Sequence, residues 1–290
     1  MPRRVRSPVE RYHDRVAGVY DGIYAGNAYW EAIFAVTWRN IVRHLPKDLS
    51  SRCLDVGCGS GRWGLRLIRA GYSVDFLDIS QKMLDQAANR LAAMGKTSIR
   101  LDCLNTPSPA PPGPADPRIS RIWHADMDNL SALPDASHDF IVGQGDPLNC
   151  TEKPRQAFKD LARLLRPGGV LLLSVDNRLQ GIDHFLGKGD VEGLEKFLRT
   201  GRTQWIADDP NERYPITMFT PGQIRGMCRE RKLELVSLIG KTVLPLRRFK
   251  DLLDDPAKRN ALLRLEESLH GEEALLANAS HLEFAARKPD

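Results

Sequence analysis

Hydrophobic and polar positions change period along this chain, and the changes outline a repeating architecture. From about residue 50 to 240, short apolar runs of strand length alternate with segments whose apolar positions fall three and four apart. Cys53-Leu54-Asp55-Val56 is the first such run. A glycine turn and a helix over 62–70 follow, with Gly71 placed to close the helix. A second strand is predicted over 73–77 and ends in Asp78; a second helix runs from the cap Ser80 to Met94 and stops at Gly95. Strands three and four fall at 118–125 and 138–144. A helix over 155–165 turns through Pro167-Gly168-Gly169 into strand five. A helix over 220–231, capped by Thr220 with Pro221 in its first position, leads to strand six at 233–239. Alternation over 281–287 predicts a seventh strand. Strands separated by helices in this way build an α/β fold, a doubly wound and mostly parallel sheet.

Other stretches leave that pattern. Residues 9–45 read as helical in two aromatic-rich pieces broken near Gly22 and Gly26-Asn27. Val16, Val19, Tyr20 and Ile23 share one face, and Trp30, Ile33, Phe34 and Trp38 share another. Residues 105–117 hold six prolines among Ser, Ala and Gly, so an exposed insertion is expected there. Residues 179–215 carry only a short helix over 193–200, with Trp205 and Tyr214 beyond it; 245–280 is helical and charged. The expected organisation is a helical cover over 1–48 and a domain over 49–290 with insertions at about 105–117, 179–215 and 245–280.

Composition narrows the class. A hydrophobic content of 42% and a charged content of 27% are those of an ordinary soluble globular protein. No apolar run approaches the roughly 20 residues that span a bilayer, and the Arg-rich start lacks the apolar segment of a secretory signal. A cytoplasmic location without a membrane partner is expected. Cysteines at 53, 58, 103, 150 and 228 form no CxxC pair, which points to neither disulfides nor zinc, and no metal is expected. The net charge of +5 concentrates at Arg3, Arg4, Arg6, Arg11 and Arg15 and over 225–250. Acids such as Glu230 and Glu234 are interleaved in the second of these stretches, so solvated basic faces explain the charge better than a nucleic-acid surface does.

The chemistry centres on Asp55-Val56-Gly57-Cys58-Gly59-Ser60-Gly61, where a buried strand gives way to a glycine turn and a helix start. Glycines let the backbone approach a ligand, and the free N–H groups of the helix start face the same spot. Gly59-Ser60-Gly61-Arg62-Trp63-Gly64 also reads as a dinucleotide fingerprint. Asp55 argues against that reading, because a carboxylate aimed into the loop repels a pyrophosphate and suits a cationic ligand. A second acid, Asp78, lies 21 positions after Gly57, where a carboxylate can accept both hydroxyls of a ribose. Together these residues resemble motifs I and II of class I S-adenosylmethionine-dependent methyltransferases.

That resemblance covers about residues 50–240 and implies a seven-stranded sheet, with the last strand antiparallel at the sheet edge, and S-adenosylmethionine as cofactor. It implies cofactor contacts from Asp55, Gly57, Cys58 and Gly59 in the loop, and from Asp78, Ile79 and Met83 after strand two. Asp126 and Met127 would serve the adenine, and Gln144 would stand at the end of strand four. The N-terminal segment is similar to the cover helices of small-molecule methyltransferases, which implies cofactor contacts for Tyr24, Trp30 and Arg39. The tail, from Leu265-Glu266 to His281-Leu282-Glu283, loosely resembles that of tRNA-uridine carboxymethyl methyltransferases.

The acceptor is less legible. Asp146-Pro147 resembles the start of the Asp/Asn-Pro-Pro-aromatic motif of nucleic-acid amino methylases, but Leu148 and Asn149 replace its second proline and aromatic. A flipped base would have no stacking platform there. Asp146, Asn149, Arg178 and Trp205 are candidates for substrate contact, and His184, Asp146 and Tyr20 are candidates for a general base. His124, inside strand three, reads as a packed core residue. The function expected is methyl transfer to an O or N atom of a small-molecule acceptor by a monomer or homodimer. An RNA-modifying methyltransferase is the alternative, and a non-catalytic cofactor-binding protein is a third class.

Overall fold

The computed structural model describes residues 4–104, 116 and 118–290. Its strands are β1 (Arg52–Val56), β2 (Ser73–Asp78), β3 (Thr97–Asp102), β4 (Ile119–His124), β5 (His138–Gly143), β6 (Leu165–Asp176), β7 (Arg202–Trp205), β8 (Tyr214–Thr217), β9 (Glu234–Lys241) and β10 (His281–Arg287). Eight of them form one sheet in the order β3-β4-β2-β1-β5-β6-β10-β9, and β7 pairs with β8 as a separate hairpin. Strands β3, β4, β2, β1, β5 and β6 are parallel, while β10 is antiparallel to both of its neighbours.

The helices are α1 (Pro8–Val16), α2 (Tyr20–Tyr24), α3 (Ala28–His44), α4 (Arg62–Arg69), α5 (Gln81–Ala93), α6 (Pro154–Leu164), α7 (Ile182–Leu186), α8 (Val191–Thr200), α9 (Pro221–Glu230) and α10 (Pro256–Leu269). The two-residue period of a strand sends alternate side chains to opposite faces of the sheet. Leu54, Val56, Leu77 and Phe284 join Phe158 and Leu161 of α6 and Ile224 and Met227 of α9 on one side. Cys53, Phe76, Phe140 and Ala285 join Ile41 of α3, Leu65 of α4 and Leu84, Ala87 and Leu91 of α5 on the other. Each fully buried Leu or Phe in these layers contributes roughly 1.5–3 kcal/mol relative to exposure. Both faces are therefore covered, as a doubly wound sheet requires. Among the described residues no helix is long and apolar enough to cross a membrane.

Several expectations change. The sheet has eight strands where seven were expected, because 97–102 pairs in parallel with β4 as an outer strand. None of its side chains is buried and only two are apolar, too few to mark a strand. The last strand is not at the edge: β9 lies outside it. The first break in the N-terminal helices falls at 17–19, and Gly22 lies inside α2. Of the proline-rich stretch 105–117, all but Asp116 lies outside the described residues. His124 is buried, and its Nε2 donates to the Ile79 carbonyl at 3.0 Å.

Towards the N-terminal ends of the strands, three buried polar side chains interlock. Arg52 Nε donates to Asp75 Oδ2 at 2.8 Å, His138 Nε2 approaches the same oxygen at 3.1 Å, and the Arg121 N–H donates to Oδ1 at 2.8 Å. Burial alone would raise the Asp75 pKa, but His138 and Arg52 outweigh it and hold the carboxyl below its usual range.

Candidate functional site

A cavity opens at the opposite, C-terminal edge, where β4, β2, β1 and β5 end. The glycine turn after β1 forms its floor. Gly57, Gly59 and Gly61 have φ of 60°, 52° and 85°, a left-handed backbone that favours glycine. A Cβ on Gly57 would lie 2.3 Å from Pro147 Cβ, so only glycine lets the turn pass under the loop after β5.

Asp78 organises the turn. Its Oδ2 accepts from the Gly59 N–H and its Oδ1 from the Ser80 N–H, both at 2.8 Å. Burial raises its pKa, only partly offset by His13 and by the Ser80 and Gly59 N–H groups. Asp55 sits beneath the turn and is not on the cavity wall. Its Oδ2 accepts from the Gly64 N–H at 2.7 Å, its Oδ1 has no partner, and burial holds its pKa well above the carboxylate range. Asp55 therefore stands off the wall, held under the α4 start by the Gly64 N–H, and a side chain at Gly64 would crowd it, an added Cβ coming 3.0 Å from Oδ2.

The roof is α1. Ser7 caps it, and Val9 and His13 face the cavity together with Tyr20 of α2. Asp14 pins α1 to the start of α5, its Oδ1 accepting from Ser80 Oγ at 2.7 Å and from the Lys82 N–H at 3.2 Å. Asp21 does the same for α2, pairing with Arg62, Arg90 and Ser60 Oγ. Val9 and His13 carry no motif signal in the sequence, and only the turn of α1 over the cavity brings them there.

Of the predicted cofactor residues, Gly57, Gly59, Asp78, Ile79, Met83, Asp126, Met127 and Gln144 line this one cavity. Cys58 is buried in the turn off the wall. Tyr24 and Trp30 are not on the wall either; they pack edge-to-face at 5.0 Å, and Trp30 packs against a cluster with Leu246, Leu253 and Leu263. Arg39 pairs instead with Glu267 at 3.3 Å. Among the acceptor candidates, Arg178 is buried with its guanidinium on the Met218 and Leu198 carbonyls. Trp205 stacks on Tyr214 in the hairpin, His184 is exposed on α7, and Asn149 is buried but off the wall. The candidate base Tyr20 faces the cavity, and burial raises its pKa well above the usual value.

Next to the wall, between the lining residues Gly145 and Pro147, stands Asp146, with φ at 62° and its N–H on Ser174 Oγ. His281 Nδ1 lies 2.7 Å from Asp146 Oδ2 and 3.1 Å from Asp176 Oδ1. Burial would lower the His281 pKa, but the two carboxylates outweigh it and push it up to about 10. These three groups also have the make-up of a metal-ligand set. His281 was missed in the sequence, although antiparallel pairing of β10 places its first residue opposite Asp176 and Lys241 at the functional edge.

Comparison with known proteins agrees with this geometry. Residues 54–173 match the family model described as a methyltransferase domain. The chain carries an S-adenosylmethionine-dependent methyltransferase domain in a class I fold. It is 24% identical over 288 residues to the tRNA 5-carboxymethoxyuridine methyltransferase of Escherichia coli strain K12, covering 97% of each chain. It is likewise 24% identical over 204 residues to the ubiquinone biosynthesis O-methyltransferase of Aromatoleum aromaticum, covering 70% of this chain and 73% of that one. Among solved structures, a S-adenosylmethionine-dependent methyltransferase from Clostridium acetobutylicum aligns with a TM-score of 0.57 at 14% identity, over 96% of this methyltransferase and 100% of that chain. The [4+2]-cyclase SpnF aligns with a TM-score of 0.58 at 17% identity, over 100% and 98%. The likeness to solved structures is one of fold. S-adenosylmethionine is the cofactor that the family implies, and the chain's own wall fits it, with Gly57 and Gly59 placing bare backbone on the floor and the buried Gln144 Nε2 unpartnered on the wall.

Proposed function

We propose that this methyltransferase acts on a hydroxyl or amine of a small-molecule acceptor delivered to the edge beside Asp146. The observation that carries this reading is the Asp146–His281–Asp176 cluster, two carboxylates flanking one imidazolium. Its net charge is negative, so it disfavours a carboxylate or phosphate and suits a group with protons to donate. Gly57, Gly59, Asp78, Ile79, Met83, Asp126, Met127 and Gln144 would hold the cofactor under the α1 roof. When bound, S-adenosylmethionine supplies an activated methyl group on a sulfonium. The chain's own contribution is then mostly positioning, which can supply roughly 7–11 kcal/mol. Asp146, held below its usual pKa by His281 and Lys241 against the effect of burial, is a weak base and would accept a hydrogen bond from the acceptor and orient it.

A second reading, a tRNA acceptor, is favoured by the full-length similarity and by a groove that begins where the cavity wall ends. Thr151 lines the cavity, and Lys153, Arg155, Arg202 and Arg231 line the neighbouring groove. Arg155 is paired with Glu230, which reduces the free positive charge. Binding of bulk tRNA across a salt series separates the two readings. The small-molecule reading expects weak binding that is lost by about 200 mM salt. Binding that survives, with methyl transfer into the RNA, would replace it.

A further inference from the structure

We infer that Gln144 is the hydrogen-bond donor for the carboxylate of the methyl donor's amino-acid head, held in that orientation by a buried Lys241–Glu283–Asn40 relay. The inference rests on the cofactor reading above and adds to it a residue role and its support.

The orientation of an amide side chain follows from its partners. Lys241 Nζ lies 2.5 Å from Gln144 Oε1, and an ammonium can only donate, so the oxygen must face Lys241. Nε2 is then the free end. It is buried and has no partner within the protein, and Gln144, only 7% exposed, is on the cavity wall. A buried donor left unsatisfied is costly, which makes a ligand oxygen its natural partner. Lys241 is fixed in turn by Glu283 Oε2 at 2.8 Å, and Asn40 Nδ2 donates to Glu283 Oε1 at 2.6 Å. Lys241, Glu283 and Asn40 are all buried.

Sheet order identifies the ligand atom. The wall runs from Asp126, after β4, past Asp78 at the end of β2 and the glycine turn after β1, to Gln144 after β5. That is three strand spacings, about 14 Å. A nucleoside held at Asp126 and Asp78 therefore extends its 5′ substituent towards Gln144, and the acceptor-only oxygen there is the head-group carboxylate.

Two probes separate this role from general support: S-adenosylhomocysteine, and 5′-methylthioadenosine, which has the same nucleoside without the amino-acid head. Calorimetry on the full chain should show Gln144→Leu weakening S-adenosylhomocysteine by about 10–100-fold, the effect of losing a bond to a charged group. Methylthioadenosine should stay within about twofold. Lys241→Met should give a smaller loss with the same selectivity, and the paired variant Lys241→Met/Glu283→Gln repeats the test without a buried unpaired carboxylate. Equal losses for both probes would make Gln144 a structural residue and overturn the inference, as would no loss for either. A wild type that binds methylthioadenosine as tightly as S-adenosylhomocysteine would also overturn it, leaving the nucleoside site standing. A wild type that binds neither would remove the cofactor reading itself.

Discussion

The two edges of the sheet carry clusters of similar composition and opposite character. At the N-terminal edge, Asp75 is enclosed by Arg52, His138 and the Arg121 N–H, and the carboxylate is saturated. At the C-terminal edge, Asp146 and Asp176 share the single imidazole of His281, and Asp146 Oδ1 is buried with no partner. The first cluster is closed to solvent, while His281, Asp146 and Asp176 retain 22%, 14% and 27% of their side-chain exposure. An aspartate beside a histidine thus braces strands in one place and keeps an unpaired oxygen in the other. What distinguishes the two is the hydrogen-bonding capacity left over.

The largest effect expected from breaking this contrast is on stability. Asp75→Ala leaves the Arg52 guanidinium buried without its carboxylate and should destabilise the fold by about 3–5 kcal/mol in denaturant unfolding. Asp78→Ala comes next, and it acts at both levels. S-adenosylhomocysteine affinity should fall by about 2–4 kcal/mol if the carboxylate receives the ribose hydroxyls. Unlike a simple strand-end residue, Asp78 also satisfies the Gly59 and Ser80 N–H groups, so chemical denaturation should show a further loss of about 1–2 kcal/mol in stability.

A smaller effect concerns pH. The His281 pKa is raised in the folded chain, so its contribution is fully present below about 6.5. It is lost as pH rises towards about 10. The melting temperature should therefore fall between those values, and His281→Gln should flatten that part of the profile. An unchanged slope in the variant would show that the imidazole is not bound as drawn. The smallest effect is at Arg39, whose pair with Glu267 is exposed. Arg39→Ala should change stability by less than about 1 kcal/mol and leave S-adenosylhomocysteine binding untouched in calorimetry.

The sequence revealed most about groups whose position is fixed by local spacing. Gly57, Gly59, Asp78, Asp126 and Met127 were legible as wall positions because each lies at a strand end or within three residues after one, and parallel strands bring those ends to one edge. Tyr24, Trp30 and Trp205 stand off the cavity wall, because aromatic content says nothing about which neighbour a ring chooses, and theirs are other aromatics. His13, Lys241 and Glu283 were missed for a different reason. Their positions depend on contacts across more than 40 residues of sequence, which no local pattern encodes. The strand 97–102 escaped because an outer strand buries too little to need an apolar face.

If the C-terminal edge binds while the N-terminal edge only holds the strands together, the two edges must respond differently to one titration, that of S-adenosylhomocysteine followed calorimetrically into folded wild type, Asp78→Ala and Asp75→Ala. The predicted result is tight binding to the wild type, a loss of about 30–1000-fold in Asp78→Ala, and wild-type affinity in the folded fraction of Asp75→Ala. Unchanged affinity in Asp78→Ala, or a selective loss in Asp75→Ala, would contradict it.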